Sequence, residues 1–256
     1  MQLLEAVADE AGRGKTLSEV ARRAAMPEPS TLRYLTTLEG RGYVEHVGTG
    51  EQGRYRLGLG VFMLAERALG NWDLRAIAMP YMQRLLDLYG ETVNLAVFRQ
   101  RKLVIIESLE GHRSIHQGAR VGEQDLLRST SLGKAVLALH SDEQALALLR
   151  DEEVKRSTPK TLLDDGAMLR ELRTVRSRGY AIDDEESEIG LRCVGVAFRG
   201  RGDQKFGLSI SGPSQLLTRD IVRKAGPVLC EVGRELTVRL NPSSDVNLAP
   251  TADGSE

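Results

Sequence analysis

Two prolines, Pro27 and Pro29, stand two residues apart between stretches of helical periodicity, and they constrain the fold of this chain more than any other feature. Proline has no backbone N–H and clashes with the preceding turn, so such a pair cannot lie inside a helix but suits a tight turn and a first helical position. Before the pair, Leu17, Val20, Ala21 and Ala24 form one apolar stripe, opened by Thr16 three residues ahead of Glu19 in capping-box spacing. Further upstream, Leu3, Leu4, Val7 and Ala8 mark a short helix that stops at the Ala11–Gly14 segment. After the pair, a third helix is predicted from about Ser30 to Arg41, with Gly42 as its left-handed cap. Tyr43–Val47 and Arg54–Leu57 then alternate as strands around the glycine-rich turn 48–53. Three short helices followed by a hairpin make a winged helix-turn-helix, assigned to residues 1–58.

The phase of the third helix separates two faces. At 100° per residue, Tyr34, Leu35 and Leu38 fall with Thr31 on an inward side, while Pro29, Arg33, Thr36 and Thr37 point the other way. A polar outward face of this kind suits a DNA major groove, yet on this helix alone a merely solvated surface is an equally good reading. Ser30 on the helix and Arg54 in the wing add to the outward set and favour DNA, whereas Glu28 near the helix start would repel a phosphate.

Overall charge argues the opposite until it is resolved along the chain. The 256 residues carry 35 basic and 36 acidic groups, a formal charge of -1. Between Arg13 and Gly58, however, eight bases face five acids, so this segment is +3 and the remainder is -4. With 41% apolar and 28% charged residues the chain is neither a disordered tail nor a membrane protein, and two cysteines cannot staple a secreted scaffold. The longest stretch free of charged side chains, Phe206–Thr218, is shorter than the roughly 20 apolar residues of a membrane-spanning helix. Acidic residues in the first ten positions do not suit a signal peptide, and the chain is assigned to a reducing cytoplasm.

Beyond the wing, Leu59–Leu69 reads as an apolar helix broken at Gly70–Asn71, a linker over residues 59–71 that would cover its face with a partner chain or with a second domain. A long helix resumes at Trp72 and runs through Ile77, Tyr81, Leu85 and Leu88 to Tyr89. Strands are predicted at Thr92–Phe98, Leu103–Glu107, Ser114–Ala119, Tyr180–Asp183, Cys193–Phe198 and Phe206–Ser211. Helices are predicted at Leu132–Leu139, Asp142–Leu149, Asp164–Arg178 and Thr218–Leu240. This is an α+β fold with a sensor-type second domain over residues 72–240. The polar tail, 241–256, is expected to be disordered.

In this order the chain resembles the IclR family of bacterial transcription regulators. The resemblance rests on Leu17-Ser18-Glu19-Val20-Ala21, Pro27, Arg33-Tyr34-Leu35, Leu38, Gly42-Tyr43-Val44 and Tyr55-Arg56-Leu57-Gly58. It continues through Gly133–Ala138, Arg176, Gly179-Tyr180-Ala181, Asp184-Glu185-Glu186, Gly190-Leu191-Arg192-Cys193 and Ser209–Pro213. It implies a homodimer, able to pair as a dimer of dimers, that binds near-palindromic operator DNA and answers a small organic effector in a GAF-like C-terminal domain, with no cofactor. A repressor and a carboxylic acid are the favoured forms of regulator and effector. Carried over to this chain, the effector residues are Asp125, Ser131, Leu132, Asp183, Leu191, Cys193, Ser209 and Ser211. The chain departs from the family at Leu126-Leu127-Arg128 and at Gly195-Val196-Ala197, and Arg128 or Arg192 is the expected counter-charge for an anionic effector.

Two rivals belong to other classes. A hydrolase would pair Cys193 with His46, His112, His116 or His140, or use Ser209 or Ser211 as nucleophile. No Gly-x-Ser-x-Gly elbow is present, and a Cys within an apolar strand usually packs, so no catalysis is expected. Cys193 and Cys230 lack metal-ligand spacing, and the acids of 183–188 suit a solvated loop, so no metal is expected. A winged helix serving protein interaction without DNA is the second rival.

Overall fold

The computed structural model describes residues 2–8, 13–48, 53–70, 74–111, 120–150, 152, 156–202 and 204–241. The chain divides into two compact units, the first ending at Asp73 and the second beginning at Leu74.

The first unit contains α1 (Gln2–Val7), α2 (Leu17–Arg23), α3 (Glu28–Glu39), β1 (Val44–Val47), β2 (Arg54–Leu57) and α4 (Leu59–Gly70). The capping box forms as predicted: the Glu19 N–H donates to Thr16 Oγ1, and the Thr16 N–H donates to the Glu19 carboxylate. α2 ends in a reversal at Ala25, whose φ of 52° is left-handed, and the Met26 N–H returns to the Ala21 carbonyl at 2.9 Å. Pro27 caps α3, which begins at Glu28; Pro29 therefore takes the second helical position, and the helix starts two residues earlier than predicted. Gly42 is left-handed at φ 73° as predicted, but α3 ends at Glu39 with Gly40 as its C-cap, so Gly42 turns the chain two residues beyond the cap. Leu3, Val7, Val20, Ala24, Leu35, Val44 and Tyr55 form the core. The inward set needs one correction, because Tyr34 is exposed. Only Thr31 and Leu35 of α3 are fully buried, with Leu38 packed beside them. Burying the Thr31 hydroxyl is made tolerable by its bond to the Pro27 carbonyl at 3.1 Å.

β1 and β2 pair in antiparallel register, Val44 opposite Leu57, and residues 49–52 of the wing turn lie outside the described residues. Leu59, Phe62, Met63 and Leu64 of α4 are all exposed, so the beginning of this helix leaves apolar surface uncovered. Asn71 and Trp72 lie outside the described residues.

The second unit comprises α5 (Leu74–Tyr89), β3 (Thr92–Arg99), β4 (Lys102–Leu109), β5 (Gln124–Asp125), α6 (Ser131–Ala138), α7 (Asp142–Arg150), α8 (Asp165–Arg178), β6 (Ala181–Asp184), β7 (Leu191–Arg199), β8 (Lys205–Pro213) and α9 (Arg219–Leu240). Six strands form one antiparallel sheet in the order β5-β4-β3-β8-β7-β6. Gln100 and Arg101, both with positive φ, turn β3 into β4, and a bulge at Leu95/Ala96 bends the pair. Both faces of the sheet are covered, which is why its central strands are buried along nearly their whole length. α5 and α9 pack on one face, which takes Val194, Val196, Phe206, Leu208 and Ile210. α6 covers the other, where Cys193, Gly195, Gly207, Ser209 and Ser211 alternate with those residues. A Cβ on Gly195 would lie 3.0 Å from Ser131 Oγ, so this glycine sets how closely the start of α6 approaches β7.

One prediction changes here, and two fall largely outside the described residues. α5 buries Leu74, Ala78, Tyr81, Met82, Leu85 and Leu86, and Leu88 is exposed because the buried stripe passes through Leu86 instead. The strand expected at Ser114–Ala119 lies outside the described residues, and among those described the edge of the sheet is β5. The tail is described only at Asn241, and 242–256 lie outside. Among the described residues no helix is long and apolar enough to cross a membrane.

Candidate functional site

The second unit holds a cavity of about 280 Å³ between the start of α6 and the sheet. All eight residues carried over from the resemblance line it: Asp125, Ser131, Leu132, Asp183, Leu191, Cys193, Ser209 and Ser211. Strand register explains how residues up to 86 positions apart meet. Asp183 pairs with Cys193 across β6 and β7, and Cys193 pairs with Ser211 across β7 and β8, so three adjacent strands present one row of polar side chains. Ser211 in turn pairs with Thr92 of β3, and Ser209 with Asn94. Thr92 and Asn94 also line the cavity but were not anticipated. Their signal was legible, as two polar residues at period two in the otherwise apolar run Thr92–Phe98. Ser108 donates to Asn94 Oδ1 at 2.8 Å and fixes the orientation of that amide.

At the α6 end, Thr130 is the N-cap: its hydroxyl donates to the Leu126 carbonyl at 2.6 Å and accepts the Gly133 N–H at 3.0 Å. Ser131 and Leu132 thus occupy the first two helical positions at the positive end of the α6 dipole. The Asp183 carboxylate is buried and structurally engaged, accepting the Glu186 N–H at 2.7 Å, the Ser187 N–H at 3.2 Å and the Ser187 hydroxyl. Burial still pushes its pKa above the ordinary carboxylate value. Asp125 is raised further, to about 7, chiefly by desolvation in the cavity wall, with Asp183 and Glu123 adding repulsion. Near neutrality it is therefore partly protonated and can donate a hydrogen bond.

The expected counter-charges are not in the cavity. Arg128 is buried but donates to the Leu162 and Leu163 carbonyls at 3.2 and 3.0 Å and pairs with Asp165 at 3.1 Å. Arg192 donates to Asp184 at 2.7 Å and to the Ser214 and Leu217 carbonyls. Arg192 ties a loop to the sheet and Arg128 joins two loops, and no basic side chain is among the described residues that line the cavity. Lys134 lies fully buried on α6 and pairs with Glu186, whose pKa burial raises to about 6. Among the described residues the hydrolase constellation does not assemble either. Burial pushes the Cys193 thiol well above its ordinary value, the reverse of activation. His46 stacks on Tyr55 of the wing, and His140 donates from Nδ1 to the Val136 carbonyl at 3.0 Å beside Phe98. His112 and His116 lie outside the described residues.

On the first unit, α3 presents Pro29, Arg33, Thr36 and Thr37 to solvent, with Ser30 half-buried. Thr36 and Thr37 return their hydroxyl protons to the Leu32 and Arg33 carbonyls at 3.0 Å, leaving the hydroxyl oxygens facing outward as acceptors. The Arg33 guanidinium sits 5.4 Å from the ring centroid of Tyr34, so Tyr34 joins the outward face from which the helical phase excluded it. Arg54 leans back on the domain: it donates to the Gly14 carbonyl at 3.0 Å and stands 3.7 Å from Glu19.

A winged helix-turn-helix joined to an α+β unit enclosing a polar cavity defines a DNA-binding regulator with a separate ligand-sized site. Comparison with known proteins makes the class specific. The IclR helix-turn-helix domain matches residues 1–48, and the bacterial transcriptional regulator IclR C-terminal domain matches residues 66–238. The chain belongs to the IclR family of bacterial transcriptional regulators. It is 34% identical to the acetate operon repressor of Salmonella typhimurium over 93% of this chain and 87% of that one. Its identity to the transcriptional repressor IclR of Escherichia coli is 33% over the same shares. Among solved structures it is similar to Thermotoga maritima IclR (TM-score 0.73, 31% identity, 93% and 95% of the two chains). A second is an IclR homolog of Microbacterium hydrocarbonoxydans complexed with 4-hydroxybenzoate (TM-score 0.79, 26% identity, 94% and 97%). These named relatives are regulators, not enzymes.

Proposed function

We propose that this protein is a cytoplasmic homodimeric repressor whose binding to operator DNA is controlled by a small organic acid held in the α6 cavity. The observation that carries the reading is the convergence of eight residues from five separate segments on one polar cavity of about 280 Å³, near the lower limit for small-molecule sites. That volume suits a short aliphatic acid or a single aromatic ring. With no basic side chain among the described lining residues, an effector carboxylate would be held by hydroxyls of Ser131, Ser209 and Ser211, by the N-terminus of α6 and by protonated Asp125. α3 supplies base contacts through Arg33, Thr36 and Thr37, with Pro29 and Ser30 at its start, and Arg54 of β2 adds a backbone contact from the wing. The uncovered side chains of α4 supply the homodimer contact, and two dimers can pair. Effector binding shifts the population between two separations of the paired recognition helices, which half-sites about 34 Å apart would discriminate.

The test has two parts. Selection from a random duplex library should return a near-palindrome, and thermal shift against aliphatic and aromatic acids and their amides should show stabilisation by acids. Failure to retain any duplex at low salt favours the protein-interaction reading; equal stabilisation by the amides removes the carboxylate.

A further inference from the structure

The α3 face carries one cation, Arg33, and duplex affinity at physiological salt demands several phosphate contacts. A different part of the first unit concentrates the missing charge. A trough of about 660 Å³ beside the start of α2 is lined by Arg13, Lys15, Arg22, Arg23 and Arg54, with Glu19 the single carboxylate among the described residues. Five of the eight bases between Arg13 and Gly58 thus converge on one concavity, while Arg56 is paired with Glu45 at 2.8 Å. Glu19 is occupied by the capping box, where the Thr16 N–H donated to its carboxylate at 2.8 Å holds its pKa down. Its role is to close α2 and position Arg54, and it offsets a fraction of the positive charge.

The topology places this trough at the wing. Lys15 forms an antiparallel bridge with Tyr55, bonded both ways at 2.9 and 2.7 Å. β2 begins at Arg54 directly after the wing turn, so the antiparallel segment 13–15 runs toward the wing-turn end and passes there into α2. Arg22 and Arg23 are exposed on α2 and contribute nothing to the core. Like charges gathered in this way repel one another and are stabilised by a polyanion.

We infer that this trough is a clamp for the sugar-phosphate backbone of duplex DNA, separate from the base-reading face of α3. The inference rests on the DNA-binding reading above and deepens it: the clamp supplies sequence-independent affinity and register, and α3 supplies discrimination. The experiment uses the full chain and a mixed-sequence 40-base-pair duplex, with binding followed by fluorescence anisotropy from 50 to 300 mM KCl. In Arg22→Ala/Arg23→Ala the slope of log K against log salt should become shallower by about two per winged-helix unit, and affinity at 50 mM should fall about tenfold or more. Arg22→Lys/Arg23→Lys should retain the wild-type slope. A Gln pair, which keeps the aliphatic stems, replaces the alanines should α2 unravel by circular dichroism. An unchanged slope and affinity in the neutral variants, with wild type binding normally, overturns the clamp and leaves the DNA reading standing. No duplex binding by wild type at 50 mM overturns both.

Discussion

The two candidate sites are built in opposite ways. The α3 face is a local object: twelve consecutive residues, outward hydroxyls bonded only to their own helix, and a guanidinium resting on its neighbour's ring. The α6 cavity is a tertiary object, drawn from six strands, a helix start and the adjoining loops, with its side chains fixed by bonds between strands such as Ser108 to Asn94. A surface that must adapt to DNA tolerates side-chain freedom, whereas a small buried site needs its polar groups fixed before the ligand arrives. Substitutions at the first should therefore change binding and spare stability; at the second the two should move together.

The largest effect is expected at Lys134→Met. Removing this fully buried cation leaves the largely buried Glu186 without its partner, while Glu171 keeps Arg178 at 2.8 Å, and should destabilise the second unit by about 3–5 kcal/mol. Glu186 protonates at about 6, so the loss should shrink when calorimetry is repeated at pH 5. A loss of the same size at both pH values would show that the charge is not the cause. Next, Arg33→Ala should cost about 1–3 kcal/mol of discrimination between the selected operator and a mismatched one, with no change in Tm. If affinity falls equally for both duplexes, Arg33 contacts phosphate instead of base.

Asp125 gives an effect of intermediate size. Its pKa is raised from 3.8 to about 7, so ionising it opposes folding; that penalty is absent below pH 4, grows through the interval and is complete above about 7. An anionic effector raises the pKa further and takes up a proton, so acid affinity should fall as pH rises above about 7, by up to about tenfold per unit. Asp183 and Glu123 line the same cavity and repel the ionised Asp125 carboxylate, while Lys134 stabilises the charge of Asp183. Asp125→Asn should flatten the profile, and a profile that survives the substitution assigns the proton elsewhere. The smallest effect concerns Ala25, held at φ 52°. Ala25→Gly should stabilise the first unit by about 0.5–1 kcal/mol, and a decrease in Tm would contradict the backbone account.

How much was legible beforehand follows the same division. Helix ends and the wing were written locally: Thr16 with Glu19, Pro27, Gly42 and the alternation from Val44 to Leu57 all act within a few residues of where they stand. The eight carried-over positions meet in one cavity because motif and register travel together along β6, β7 and β8. What failed was direction. Arg128 and Arg192 stand beside the pocket segments in sequence, but their long side chains turn to loop carbonyls, and nothing short of tertiary packing decides that. Tyr34 failed for a related reason: at the margin of a narrow buried stripe, the neighbouring guanidinium gives its ring a better position than the core does. The basic trough was visible only as a charge count until the Lys15–Tyr55 bridge brought its parts together.

The central claim is that the cavity in the second unit governs DNA affinity in the first, and coupling of this kind is reciprocal. The direct measurement is the operator affinity of the intact protein, by anisotropy, titrated with the acid that most raises Tm. The account predicts a change in affinity of about 5- to 150-fold, and an equal change in acid affinity when operator is already bound. Stabilisation by the acid with operator affinity unchanged would contradict it.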